Sequence, residues 1–333
     1  MRSSSSTGSG GSSANQTTYE VWNQTLSEFF FHPKRAKRPI YLQVDRETLP
    51  IIGAKIGVAQ DQAEIEFAQA VRTRLVEKWF DPNPFKSIIR QTYVWKTNTL
   101  GRNPTAFPPF VGLLGLCVLA ASRMSNDPDK GISSSNYYVW LNELLGLRSE
   151  GQPPYFETVT EFWPLLNRWL DEINHGSLGL PTASPHPTLT HIGYSLSQCL
   201  LNMSDRDHLV DFFRWEGITS GDSRRTEELA RGLRIWATRT TCSLGSRTRR
   251  LLTGNDQNLI QQIAAVALNE LKLWDGSTLD LQGRRHARIV LRIEIREGGT
   301  RFTCELVPEA PNGFPEGEYR SEGEAVTGMF QRL

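Results

Sequence analysis

Apolar residues recur at helical spacing through most of the chain, which predicts a largely helical protein. The clearest stripe lies in residues 159–174, preceded by Thr158 and Glu161 at the spacing of a capping box. Gly146 is placed to end another helix, because glycine readily adopts the left-handed conformation found at helix ends. The predicted helices are a first one beginning near Thr18, then 61–80, 85–97, 108–124, 135–145, 159–174, 195–203, 205–216, 224–239 and 256–274.

Two stretches alternate between apolar and polar positions instead. The segment "PIYLQVD" at 39–45 predicts a short strand, and "GRRHARIVLRIEIREGGTRFTCELV", which follows Trp274, predicts a hairpin that turns at "EGGT". A lone hairpin is only marginally stable in water. We therefore expect it to pack on the helical part, or the natural polypeptide to continue beyond Leu333.

These patterns together predict an α+β fold. A predominantly α-helical domain covers residues 17–275, with the short strand near 39–45, and a small C-terminal antiparallel β element covers 276–333. Residues 1–16 are rich in serine and glycine, which cannot build an apolar core, so we expect a disordered tail there.

Charge and cysteine content exclude several classes of partner. The 37 Lys and Arg residues against 36 Asp and Glu leave a formal charge of +1, so the chain as a whole has no field that attracts a polyanion or a membrane surface. The four cysteines are scattered, without a CxxC pair, as is common in a reducing cytoplasm. The longest apolar run, Phe110–Ala121, is 12 residues long, shorter than a membrane span of about 20. We expect a cytoplasmic protein with no membrane contact.

The stretch "HIGYSLSQCLL" places His191 four residues before Ser195, which itself stands two residues after a glycine. A serine nucleophile elbow reads G-x-S-x-G, and the second glycine is missing here. The other interpretation is that Ser195 caps a helix whose Leu196, Leu200 and Leu201 point inward. We favour the helix cap and keep His191 and Ser195 as an alternative catalytic pair of a hydrolase.

Two further patterns are compatible with a metal site. His175, His186 and His191 share one proline-rich loop, but their spacing does not supply the three or four ordered ligands that zinc requires. Asp280 and Glu294 faintly match the acid and (D/E)-x-K arrangement of metal-dependent nucleases, in which two carboxylates hold Mg²⁺. Arginine replaces the lysine of that pattern.

No glycine-rich phosphate loop of the form GxxxxGK[ST] and no GxGxxG after a strand is present. We therefore predict no metal, no cofactor and no catalytic set, with a metal-dependent nuclease or another hydrolase as the alternative.

Arginine is concentrated locally. Residues 214–254 carry nine arginines against four carboxylates, and "HPKRAKR" at 32–38 adds four cations. Arginine holds phosphate or carboxylate groups through paired hydrogen bonds, although a solvated face with internal salt bridges has the same composition. The residues that we expect to contact nucleic acid or a partner protein are Arg224, Arg225, Arg231, Arg234, Arg284, Arg288, Arg292 and Arg296.

At "NYYVWLNELLGL", "FWPLLNRWLDE", "LPTASPHPTLTHIGYSLSQCLLNMSDRDHLVDFF" and "RIWATR" the chain resembles an uncharacterised bacterial protein family associated with anti-phage defence gene clusters, beside helicases or ATPases. The resemblance covers residues 20–275 and implies a cytoplasmic accessory subunit that works with an enzymatic partner. It supplies no site residues.

Sequence and resemblance together predict a non-enzymatic accessory subunit, which contacts nucleic acid or a protein partner such as a helicase or an ATPase through arginine-rich faces.

Overall fold

The computed structural model describes residues 18–75, 83–127, 129–148, 151–189 and 191–276, and the backbone of strands at 288–296, 299–307, 318–320 and 329–331. The chain divides into two compact units, Met1–Asn202 and Met203–Leu333.

The described part of the first unit is mainly helical. Two π-helical turns, Trp95–Thr99 and Trp169–Ile173, directly continue its fourth and eighth helices. A parallel pair of two-residue strands, β1 (Pro39–Ile40) and β2 (Leu180–Pro181), joins distant parts of the unit. The helices are α1 (Tyr19–Phe30), α2 (Thr48–Ala54), α3 (Ala63–Leu75), α4 (Lys86–Val94), α5 (Val111–Asn126), α6 (Ser134–Leu145), α7 (Phe156–Thr160), α8 (Phe162–Arg168) and α9 (Gly193–Gln198).

Helix α5 forms the centre of the first unit, as its apolar sequence predicts. Every residue from Val111 to Ser122 is buried, and the helix packs against α1, α3, α6 and α9. Because all faces of α5 are covered, its residues can be apolar all round, a pattern that belongs to buried helices.

Two polar side chains of α1 form hydrogen bonds with backbone groups at the beginning of α5. The N-cap residue of α5 itself forms no side-chain cap. The Asn23 amide donates to the Pro108 carbonyl at 3.0 Å and accepts from the Gly112 amide at 2.9 Å. The Tyr19 hydroxyl donates to the Pro109 carbonyl at 2.8 Å and accepts from the Leu113 amide at 3.3 Å. The first N–H groups of a helix have no acceptor within the helix. Asn23 and Tyr19 supply two of these acceptors.

The second unit is also mainly helical where it is described. Its core includes Phe212, Phe213, Trp236 and Trp274, whose rings contact one another at 5.4 to 5.8 Å between centroids. Its helices are α10 (Met203–Asp207), α11 (Leu209–Trp215), α12 (Thr226–Ala237), α13 (Ser246–Thr253) and α14 (Gln257–Leu273). Its strands are β3 (Arg288–Arg296), β4 (Gly299–Val307), β5 (Glu318–Arg320) and β6 (Met329–Gln331).

The predicted α+β class is wrong, because the fold is helical and the sheet within it is the early parallel pair β1–β2. Among the described strands of the second unit, β3 pairs with β4 and β5 with β6, each as a two-stranded antiparallel pair. Alternating sequence predicts extended backbone locally, but a fold class requires a sheet layer that packs against other layers. Two-stranded pairs are not such a layer.

The prediction of one continuous helix at 159–174 is also wrong. The chain forms α7 and α8 on either side of Glu161, and then the π-helical turn Trp169–Ile173. Pro164 explains the interruption, because it has no N–H to donate to the carbonyl four residues earlier and its ring crowds that carbonyl.

Candidate interaction surface

Ser195 lies inside α9 and is 1% exposed. Its hydroxyl lies 3.5 Å from the hydroxyl of Tyr137 on α6, and no hydrogen bond joins it to His191, which lies in the turn before α9. The residue that caps α9 is Ile192, so the prediction that Ser195 caps this helix is wrong. The predicted burial of Leu196, Leu200 and Leu201 is confirmed, but α9 ends at Gln198, so only Leu196 lies within the helix.

The groups around Ser195 are buried and protonated at neutral pH. Burial raises the pKa of the Cys117 thiol to about 12 and raises the pKa of the Tyr137 phenol well above its ordinary value. A thiol acts as a nucleophile when a nearby cation or helix N-terminus lowers its pKa, and burial in an apolar environment does the opposite. This cluster therefore fits internal packing better than nucleophilic chemistry.

Gly193 supplied the one matching glycine of the nucleophile-elbow pattern, and packing accounts for it. A Cβ atom at this position would lie 2.2 Å from the backbone nitrogen of His186. The close approach of the His186 segment to α9 requires a glycine, whatever the role of the serine two residues later.

The three loop histidines have separate environments. His175 accepts a hydrogen bond from the Lys37 ammonium at its carbonyl, His186 is buried with its Nδ1 beside Thr188, and His191 lies in the turn before α9. Across the described residues, no group of three or more His, Cys, Asp or Glu side chains is placed to hold a metal ion.

The residues of the nuclease alternative lie largely beyond the described positions. Asp280 and Arg284 are outside the described residues, and Glu294 is described only as backbone within β3. In the same strand, Arg288, Arg292 and Arg296 pair in register with Val307, Thr303 and Gly299 of β4. Their roles therefore stay predictions.

Arg224 and Arg225, two of the predicted contact residues, are engaged by nearby carboxylates. Arg225 donates to Glu228 at 2.9 and 3.0 Å, and Glu228 accepts from the Arg225 backbone at 3.3 Å. Arg224 lies 3.7 Å from Asp222. The bonds from Arg225 lower the pKa of Glu228, while bonds from Thr219, with a smaller effect of Arg224, lower that of Asp222. Arg225 thus helps to order the start of α12, and Arg224 pairs within the segment that precedes this helix.

Arg231 and Arg234 are placed differently from that pair. They lie on the outer side of α12, and neither side chain has an ion pair or a hydrogen bond among the described residues. Arg239, just past the end of α12, has its guanidinium carbon 5.4 Å from the centroid of the Trp215 ring. Such stacking holds the guanidinium in place and leaves its edge donors available.

Two apolar side chains are exposed nearby, Ile235 next to Arg234 on α12 and Trp215 beneath the guanidinium of Arg239. Ile235 is 49% exposed, and Trp215 at the end of α11 is 36% exposed. We call Trp215, Arg231, Arg234, Ile235 and Arg239 the α12 surface. The buried stripe of α12 follows Leu229, Leu233 and Trp236, so Ile235 could have been recognised in the sequence as an isoleucine off the stripe. No local pattern indicates the exposure of Trp215.

No protein-family model, curated protein or solved structure matches this chain. Within the part of the chain that the structure describes, every helix is too short or too polar to cross a bilayer.

Proposed function

We propose that the protein is a non-enzymatic accessory subunit that binds a partner protein through the α12 surface. The observation that carries this proposal is an exposed apolar pair, Trp215 and Ile235, beside arginines with no acidic partner among the described residues. Trp and Arg are the residues most often found at the energetic centre of protein interfaces. Carboxylates of a partner would form charge-assisted, two-point hydrogen bonds with these guanidinium groups.

Net charge favours a protein over a nucleic acid at this surface. Residues 203–276 hold eleven Lys and Arg against ten Asp and Glu, which gives +1. Nucleic-acid binding draws most of its affinity from neutralising many phosphates, and a nearly neutral unit provides little long-range attraction for them. Local arginine contacts around an apolar centre suit an acidic patch on a protein.

The resemblance to the defence-cluster family leads us to propose a helicase or an ATPase as the partner and anti-phage defence as the role of the complex. Cytoplasmic location is part of the same proposal. It is supported by the buried cysteines Cys117, Cys199 and Cys242, none of which forms a disulfide among the described residues, as is common in a reducing compartment.

Co-purification tests the proposal. The full chain, tagged, is recovered from the native host with and without nuclease treatment, alongside the Arg231→Glu/Arg234→Glu variant and the control Arg168→Glu. Arg168 is an exposed arginine of the first unit. We expect one partner protein to survive nuclease, to be retained by the control and to be lost with the α12 variant.

Two outcomes would contradict the proposal. One is a partner that the α12 variant binds as well as the unmodified chain does. The other is the loss of every recovered protein after nuclease treatment, which would indicate nucleic acid as the ligand.

A further inference from the structure

Helix α4 in the first unit presents a cationic face with an exposed aromatic ring. Ile88, Thr92 and Trp95 are directed into the protein. Positions 86, 90 and 93 fall at i, i+4 and i+7 on the opposite side of α4, where they hold Lys86, Arg90 and Tyr93. Tyr93 is 68% exposed, the most exposed large apolar or aromatic side chain among the described residues.

No acidic residue occurs anywhere from Asn83 to Asn126, although this stretch contains five Lys and Arg residues. One of them, Arg123, is engaged by Glu64 and Glu143 of neighbouring helices. The side chains of Arg90, Lys96 and Arg102 have no ion pair or hydrogen bond within the described part of the chain. We call Arg90, Tyr93, Lys96 and Arg102 the α4 surface.

The chain that carries the α4 surface is firmly held. The Trp95 indole donates to the Ala106 carbonyl at 3.0 Å, and its ring meets Phe110 edge-on at 5.8 Å. The π-helical turn Trp95–Thr99 follows directly, closed by the Leu100 amide bonding to the Trp95 carbonyl at 3.0 Å. Isolated π-helical turns interrupt the regular helix and are frequent at functional sites. The cations and the ring are therefore presented by an ordered segment.

We propose that the α4 surface binds single-stranded nucleic acid. Tyr93 offers a ring on which a base can stack, and Arg90, Lys96 and Arg102 contact the backbone phosphates on either side. Proteins that bind single strands combine a cationic track with aromatic stacking in this way. This goes beyond the proposed protein partner, because it concerns another ligand and the other unit.

The composition of the α4 surface favours single-stranded nucleic acid over two other anionic ligands, a membrane surface and an acidic protein. A membrane-surface helix needs a broad apolar face, and the exposed apolar contribution of α4 is limited to Tyr93 and the neighbouring Val94. A protein interface needs an apolar centre that excludes water, and the α4 surface alternates cations with a single ring. Successive phosphates of one strand can engage several cations at once, whereas one acidic side chain cannot.

Fluorescence anisotropy with the full chain tests the proposal. The probes are a fluorescein-labelled 20-nucleotide oligothymidine, a duplex of the same length, and, in a separate assay, vesicles containing anionic lipid. We expect saturable binding of the single strand at low salt, weaker binding of the duplex and no binding of vesicles. Tyr93→Ala should weaken single-strand binding by about 5- to 100-fold, whereas Tyr93→Phe, which keeps the ring, should bind like the unmodified chain.

Salt dependence identifies the phosphate contacts. Each single-strand phosphate contact contributes about 0.7 to the slope of log affinity against log salt, so Arg90→Ala/Lys96→Ala should reduce the slope by about 1.4. Arg168→Ala is the control, which should leave affinity and slope unchanged.

The proposal is overturned if no single strand binds at low salt, or if the duplex or the vesicles bind better. It is equally overturned if Tyr93→Ala binds like the unmodified chain while circular dichroism shows both to be folded.

Discussion

Asn23 is a buried residue whose importance follows from two hydrogen bonds to the start of α5. Asn23→Ala would leave the Gly112 amide and the Pro108 carbonyl buried without this partner. We expect the free energy of unfolding to fall by about 1–3 kcal/mol, the usual cost of an unsatisfied buried polar group. Urea denaturation measures it, and Gln24→Ala, at the exposed neighbouring position, is the control with almost no expected effect.

Cys117 gives the first unit a stability that depends on pH. Burial raises the pKa of its thiol from 9.0 to about 12, so the folded chain keeps a proton that the unfolded chain releases. The contribution of the protonated thiol to the free energy of unfolding is fully present below pH 9 and is lost as pH rises from about 9 towards 12. We expect Cys117→Ala to lose less free energy of unfolding over that range than the unmodified chain does, as followed by urea denaturation at a series of pH values.

Ser122→Ala is the control for Cys117→Ala, because it truncates a buried side chain of the same helix and removes no group that titrates in this range. An equal loss of stability with pH in the Cys117→Ala variant and the unmodified chain would show that other groups dominate alkaline unfolding.

At the scale of single residues, sequence indicates burial well but indicates partners poorly. The apolar run of α5 was sufficient to predict a core helix. Asn23 and Tyr19 meet α5 about 90 positions later in the chain, so no local pattern could reveal that they bond to its first turn. Ser195 shows the converse error, because a local motif suggested a cap where the tertiary contact is Tyr137.

At the scale of elements, α13 depends on a side chain from another helix. Its N-cap residue is Gly245, which has no side chain to accept a hydrogen bond. Asp205 of α10 accepts instead from the Gly245 amide at 2.7 Å and from the Thr248 hydroxyl. This contact across 40 residues supplies what a Ser, Thr, Asp or Asn N-cap normally supplies.

We expect Asp205→Ala to destabilise the second unit by about 2 kcal/mol, because it leaves a partly buried amide and a buried hydroxyl without their acceptor. Thermal unfolding followed by circular dichroism measures the effect. Glu227→Ala, at an exposed position in the first turn of α12, serves as the comparison. If both variants unfold at the same temperature, Asp205 is not needed to hold the start of α13.

Helix boundaries were predictable where sequence carried both a periodic stripe and an end signal. Gly146 adopts the left-handed conformation at the end of α6, and α14 lies within the predicted 256–274. The stripe at 159–174 was as regular, yet Pro164 lies within it and the chain breaks into shorter pieces. The periodicity of apolar residues indicates which side of a segment is buried, but it does not reveal a break in the backbone hydrogen bonding of the helix.

At the scale of the whole molecule, the chain divides after Asn202, inside the stretch that the sequence presents as one helical domain. Helical periodicity is the same on both sides of this point, so the pattern carries no signal of the division. The change of period after Trp274 is easily seen, but it marks a change of local conformation. Which helices pack together is decided by long-range contacts that a single sequence does not display.

The α12 surface follows from that packing. The sequence predicted four described arginines as contacts, Arg224, Arg225, Arg231 and Arg234. Only the geometry separates the first two, which are paired with Asp222 and Glu228, from the last two, which are not paired with acidic side chains among the described residues. It also brings Arg239 over Trp215, and thereby adds an apolar element that charge counting alone does not include.

The affinity of the full chain for the protein recovered after nuclease treatment tests the central claim most directly. Isothermal titration compares the unmodified chain with Ile235→Asp, and with Ile65→Asp as the control, since Ile65 is an equally apolar residue that is 63% exposed in the first unit. We predict that Ile235→Asp weakens binding at least about tenfold, the effect of removing a central interface contact, and that Ile65→Asp changes nothing. Equal affinity of Ile235→Asp and the unmodified chain would contradict the assignment of the α12 surface.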